Sequence, residues 1–158
     1  MSRVSSILFV DRNILEQVEK RFEAVLRDAQ VSSLLLIDRT GAVIACSGDL
    51  PLPPDQMGAT TATIFLAMSA LIRAARTQEF IVHMPSNNMN LQFHEVDSRL
   101  FLCAFYVDPR DEKSVREVMQ DLADEARNML ADNPVNERRT ANVEFIGEKL
   151  NELFERPT

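Results

Sequence analysis

Val31–Gly48 reads "VSSLLLIDRTGAVIACSG", and it folds back on itself. "SLLLI" is an uninterrupted apolar run, the pattern of a central strand covered on both faces. "DRTG" follows with the chemistry of a turn: Asp38 has a short acceptor side chain, and Gly41 is free to take a positive φ. "AVIAC" then returns as a second strand, and Gly48 closes it. The stretch predicts a β-hairpin whose first strand lies inside a sheet. The rest of the chain must supply that sheet and its covers.

Upstream, Asp11 reads as a helix N-cap, with Val10 and Leu15 placed as a hydrophobic staple around it. Ile14, Val18, Phe22, Val25, Leu26 and Ala29 recur at helical spacing, while Glu16, Glu19, Lys20, Glu23 and Arg27 take the wet side. Downstream, "DLPLPPD" (49–55) is expected to be an irregular connector because of Pro51, Pro53 and Pro54, with Asp55 as the next N-cap. A second helix then runs to about Arg76. "EFIVHM" (79–84), the turn "PSNN", and "MNLQFHEV" (89–96) predict two further strands. In the latter, Leu91, Phe93 and Glu95 alternate against Gln92, His94 and Val96. After "DSR", "LFLCAFYV" (100–107) is the most apolar segment and a second central strand. From about Asp111 a third helix buries Val115, Val118, Met119, Leu122, Ala126 and Met129. The order is helix, two strands, helix, three strands, helix. A polar linker (132–142) follows, and then a C-terminal amphipathic segment (143–158) with Phe145, Ile146, Leu150, Leu153 and Phe154 on one stripe. Residues 1–10 form an N-terminal arm before the domain at 11–131.

Composition narrows the function. With 158 residues, 46% of them hydrophobic, the chain has room for one core. Its formal charge of −7 excludes the counterion-displacing basic surface of non-specific nucleic-acid binders and disfavours anionic membranes. "VSSILFV" near the start is too short for a secretory apolar region, and no apolar run is read as reaching the ~20 residues of a bilayer span. Cys46 and Cys103 lie in apolar contexts and read as buried free thiols, in keeping with a reducing cytoplasm. Four scattered glycines leave no phosphate-cradling loop. No nucleophile elbow or cysteine metal motif is present. His83 and His94 fall on neighbouring strands, where they read as strand surface rather than as a metal pair. Asp38, Asp97 and Asp108 read as turn formers rather than an acid–base pair. No catalytic residue, metal site or cofactor is proposed.

The second helix is the unusual element. "GATTATIFLAMSALIRAAR" (58–76) has no charge before Arg73, in a chain with 26% charged residues. At about 100° per residue, Met57, Thr61, Ile64, Phe65, Met68, Leu71, Ile72 and Ala75 share the sector that covers the sheet. Ala59, Thr63, Leu66 and Ala70 lie opposite, flanked by Ala62, Ser69 and Arg73. Short uncharged side chains let another backbone approach without stripping water from charges, and Leu66 is placed as an anchor. With the first and third helices on the other side of the sheet, this face is expected to be an interface.

This order of elements, with "LLLIDRTGAVIACSG", the small-residue helix and three closing strands, resembles the Roadblock/dynein light-chain family over about Ile14 to Leu130. Chain length and the C-terminal segment look most like its bacterial MglB-like branch. The resemblance implies an α/β sandwich with a five-stranded antiparallel sheet ordered 2-1-5-4-3, one helix on one face and two on the other. It implies a homodimer through the third strand (Phe80, Ile81, Val82, His83, Met84) and the second helix (Ala62, Ala67). It also implies a Ras-like small GTPase partner of MglA type, bound through Ala59, Thr63, Leu66, Ala70 and Arg73. Hydrolysis would then be stimulated by rearranging the GTPase's own switch residues. Arg73 and Arg76 fit a helix-dipole role better than that of catalytic fingers. The C-terminal segment is expected either to fold onto a partner or to pack on its own domain. Two other readings stand beside the regulator: a non-catalytic dimeric scaffold of Roadblock type, and, more weakly, a small-molecule sensor.

Overall fold

The computed structural model describes residues 10–132. The N-terminal arm, most of the linker and the segment carrying Phe145, Ile146, Leu150, Leu153 and Phe154 lie outside the described residues. The elements are α1 (Arg12–Asp28), β1 (Ser33–Asp38), β2 (Val43–Gly48), α2 (Pro54–Ala75), β3 (Glu79–Met84), β4 (Met89–Glu95), β5 (Leu100–Tyr106) and α3 (Glu112–Asp132). Short 3-10 turns precede β4 and α3. The five strands form one antiparallel sheet in the order β2-β1-β5-β4-β3.

Alternation along β1 and β5 divides the core into two layers. Leu34, Leu36, Leu102, Ala104 and Tyr106 pack with Ile14, Val18, Phe22 and Val25 of α1 and Val115, Met119 and Leu122 of α3. Leu35, Ile37, Phe101, Cys103 and Phe105 pack with Met57, Ala62, Phe65 and Ile72 of α2. One helix therefore covers one face and two the other. Both central strands are buried throughout, as their uninterrupted apolar runs require.

The turns behave as their residues dictate. Asp11 caps α1 by accepting from the Asn13 amide at 2.7 Å. Asp38 Oδ1 accepts from the Thr40 amide (2.9 Å), the Thr40 hydroxyl (2.6 Å) and the Ala42 amide (3.0 Å). Asp97 and Asp108 tie their own turns in the same way.

The β1–β2 turn also sets the start of α2. Gly41 has φ +95°, and a methyl group built on Gly58 would stand 2.1 Å from the Gly41 carbonyl oxygen and 2.8 Å from Val43 Cγ2. Turn and helix thus meet backbone to backbone. Alanine elsewhere in a helix gains about 1 kcal/mol over glycine, but here it must displace main chain. Gly58→Ala is expected to lose about 1–2 kcal/mol net by urea denaturation. An unchanged or raised midpoint would show that this junction yields.

Four expectations need correction. Asp55 does not cap α2: the helix starts at Pro54, inside the supposed connector, with Pro53 in the cap position and no side-chain bond. Proline suits the first helical position, where its missing N–H is not needed. Leu71, assigned to the covered sector, is 61% exposed, and Ala75 is exposed too. The covered arc is narrower than the apolar arc. Cys46 is only half-buried, because β2 is an edge strand. Finally, α2 is, by length and composition, apolar enough to cross a membrane, at 22 residues and a mean hydropathy of 1.4. In this fold its Met57, Phe65 and Ile72 side covers the sheet.

The cysteines themselves are free thiols. Leu35 sits opposite Cys46 in one ladder and Cys103 in the other. Two strand spacings place the cysteines roughly 10 Å apart, beyond the reach of a disulfide.

Candidate partner interface

α2 is held to the sheet by aromatic rings. Phe65, 1% exposed, stacks on Phe101 with centroids 4.4 Å apart and leans on Phe80 at 6.0 Å. Phe80 stacks on Phe93 at 4.5 Å. The Arg39 guanidinium lies 5.3 Å from the centre of the Phe65 ring, a cation–π contact that closes the cluster at the sheet end.

The side of α2 turned away from these rings is uncharged from Gln56 to Ile72. Ala59, Thr63, Leu66, Ala67, Ala70 and Arg73 are all exposed on it. Leu66 at 50% and Leu71 at 61% exposure stand at opposite borders of the face, about 140° apart around the helix at 100° per residue. The few hydroxyls are turned back on the helix: Thr63 Oγ1 donates to the Ala59 carbonyl (2.8 Å) and Ser69 Oγ to that of Leu66 (2.7 Å). Such groups ask little of solvent, so covering the face strips few hydrogen bonds.

Arg73 Nε approaches the Ser69 carbonyl at 3.4 Å, as a cation in the last helical turn does. Arg76 takes a left-handed conformation (φ 53°) and ends the helix, its amide donating to the carbonyls of Arg73 and Ile72.

β3 is the terminal strand, hydrogen-bonded on one side to β4. Phe80, Val82 and Met84 lean into the layer beneath α2, and Ile81 is half-buried. His83 is exposed, its Nδ1 against Asn90 Oδ1. β3 and α2 share one core layer through Phe80 and Phe65, and the exposed residues of α2 lie on the far side of the helix from it. Ala62 does not belong with them: it is 4% exposed and packs on its own sheet.

Other polar residues fall differently from expectation. His94 is not strand surface; it is 5% exposed, in a row with Asn90 (2%) and Gln92 (0%) on the α3 side of β4. His83 lies opposite Asn90 and His94 opposite Glu79, so the two imidazoles do not meet. Among the described residues, no group of three or more His, Cys, Asp or Glu side chains is placed to hold a metal. Burial pushes the Cys103 thiol above its ordinary range, and Cys46 is raised for the same reason. Neither is set up as a nucleophile.

Sheet order, one-and-two helix layering and an uncharged outer helix define a Roadblock-type α/β sandwich. The chain has this fold and is similar to the MglB-like branch within it. The gliding protein MglB from Thermus thermophilus matches with a TM-score of 0.70 and 21% identity, over 82% of this chain and 99% of that one. An MglB solved in a tetrameric arrangement gives 0.68 and 25%, over 82% and 98%. A Roadblock/LC7 domain from Streptomyces avermitilis gives 0.61 and 19%, over 72% and 97%. No family model and no curated protein matches the sequence.

Proposed function

We propose that this chain is a homodimeric, cytoplasmic regulator of a Ras-like, MglA-type small GTPase, serving cell polarity or motility. In this reading it stimulates GTP hydrolysis by repositioning the GTPase's own switch residues. The observation that carries the reading is the outer face of α2: a long, uncharged, exposed surface with internally bonded hydroxyls, on a fold shared with MglB proteins. Ala59, Thr63, Leu66, Ala70 and Arg73 form the GTPase contact. β3, from Phe80 to Met84, together with Ala67, forms the contact between copies. The C-terminal stripe of Phe145, Ile146, Leu150, Leu153 and Phe154 serves as a further partner segment. The chain donates no catalytic group, because its role is to move groups that the GTPase already has.

The deciding experiment is single-turnover GTP hydrolysis by the MglA-like GTPase of the same organism, with and without an excess of this protein. Acceleration of about tenfold or more, equivalent to ~1.4 kcal/mol off the barrier, is expected. An unchanged rate would move the assignment to a Roadblock-type scaffold that docks partners without altering hydrolysis.

A further inference from the structure

The ends of α2 and α3 meet at one end of the sheet. Arg127, near the end of α3, donates from Nε to the Val96 carbonyl at 2.8 Å. The neighbouring Glu95 amide donates to the Gln78 carbonyl, also at 2.8 Å, and Gln78 lies just beyond Arg76, where α2 stops. From Arg127, α3 continues only to Asp132, about 7.5 Å further along its axis. The chain beyond Asp132 therefore leaves α3 at the same end of the sheet as the C-terminal end of α2, although the two helices cover opposite faces. Residues 133–142 can span ~33 Å when extended, about three times the ~10 Å spacing of packed layers.

What that chain carries fits what α2 exposes. Residues 143–158 hold Phe145, Ile146, Leu150, Leu153 and Phe154 at helical spacing, a stripe that a short segment cannot bury by itself. Among the described residues, the large apolar side chains left exposed are Leu52, Leu66, Leu71 and Val107. None is on α1 or α3. Val107 follows the far end of β5, roughly 23 Å from Leu100, and Leu52 precedes the start of α2. Leu66 and Leu71 are in the half of α2 nearer to where the chain leaves α3. Charge agrees. α2 has none from Gln56 to Ile72 and then Arg73 and Arg76, whereas 143–158 sets Glu144, Glu148, Glu152 and Glu155 against Lys149 and Arg156. A segment arriving at that end of α2 brings Glu144 and Glu148 to the two arginines first.

We propose that residues 143–158 fold back on the Leu66 side of α2 in their own chain and cover it until a partner displaces them. Attachment makes a weak contact sufficient, because a short flexible linker holds the segment at an effective concentration on the order of mM. The covered side includes Ala59, Thr63, Leu66 and Ala70, so the cover is autoinhibitory toward the GTPase contact. That consequence rests on the function proposed above; the docking itself does not. Once displaced, the stripe is free for the partner-binding role given to it there.

The test uses the full chain, which has no tryptophan. Ala70→Trp places a single indole on the exposed side of α2, about one turn beyond Leu66. Its emission should be blue-shifted, and its quenching by acrylamide several-fold weaker, than after Leu150→Asp and Phe154→Asp are added. The shielding should not depend on protein concentration. A synthetic peptide of residues 143–158 in large excess should restore shielding to the chain with both aspartates. Equal quenching in the two chains, or a loss that the peptide does not reverse, would overturn the proposal. So would shielding that disappears on dilution, which would put a second copy on the face in place of the chain's own segment. The GTPase takes no part in these readings, so an unchanged hydrolysis rate leaves the docking standing, and failure of the docking leaves the GTPase contact standing.

Discussion

Leu66→Arg is expected to abolish capture of the GTPase while leaving the fold intact. Leu66 is half exposed in the free domain, and arginine is a good helix former. Stability should therefore change by no more than about 0.5 kcal/mol. Docking a partner on the α2 face would bury a guanidinium that has no carboxylate on α2 between Gln56 and Ile72 to meet it. An unpaired buried charge costs several kcal/mol, and even 2 kcal/mol weakens binding about thirtyfold. Titration calorimetry against the GTP-loaded partner measures this directly, with Glu16→Arg on the wet side of α1 as a control for added positive charge. Sedimentation of the same variant separates the two roles assigned to the helix. A dimer that persists while GTPase binding fails places Leu66 in the GTPase contact. Native affinity in the variant would mean that the face has been assigned wrongly.

Phe65→Ala should have the largest effect on stability, a loss of about 3–5 kcal/mol. Its ring touches Phe101, leans on Phe80 and receives Arg39, so its removal leaves a void where α2 is attached. Domains of this size are commonly stable by about 5–15 kcal/mol, and much of that margin would go. Urea denaturation monitored by far-UV circular dichroism measures the loss, and Phe65→Leu should recover part of it. A cost under about 1 kcal/mol would show that α2 is anchored elsewhere.

How far the fold can be read in advance depends on how local its causes are. The hairpin is legible because Asp38 and Gly41 act within four residues of each other, and β1 and β5 because burial on both faces leaves an unbroken apolar run. The start of α2 is easily misread because Pro54 has opposite meanings inside a helix and at its first position. Leu71 is misplaced because an apolar side chain on a helix signals contact without saying with what. The row Asn90, Gln92, His94 looks like a wet face because polar alternation is the same whether water or an ion-pair network lies above it. Only the placement of Glu79 and Arg116, an ion pair between elements distant in the chain, decides that. For the candidate interface, the absence of charge is visible along the helix, whereas the sealing of Ala62 beneath it requires the fold.

The contact between Gly41 and Gly58 has a consequence for how such proteins can vary. It acts as an angular stop. Because α2 is pinned at Gly58 by main chain and at Phe65 by a ring stack, the phase of the helix between them is set. Inserting one residue between the pins would turn the following side chains by about 100°. Leu66 would be carried to the bearing of Ala67, away from the sheet, and the ring of Phe65 out of its stack. Length changes in this region are therefore expected to collect in the Asp49–Pro53 approach or beyond Arg76, where adding a residue leaves the outward bearing of the helix unchanged.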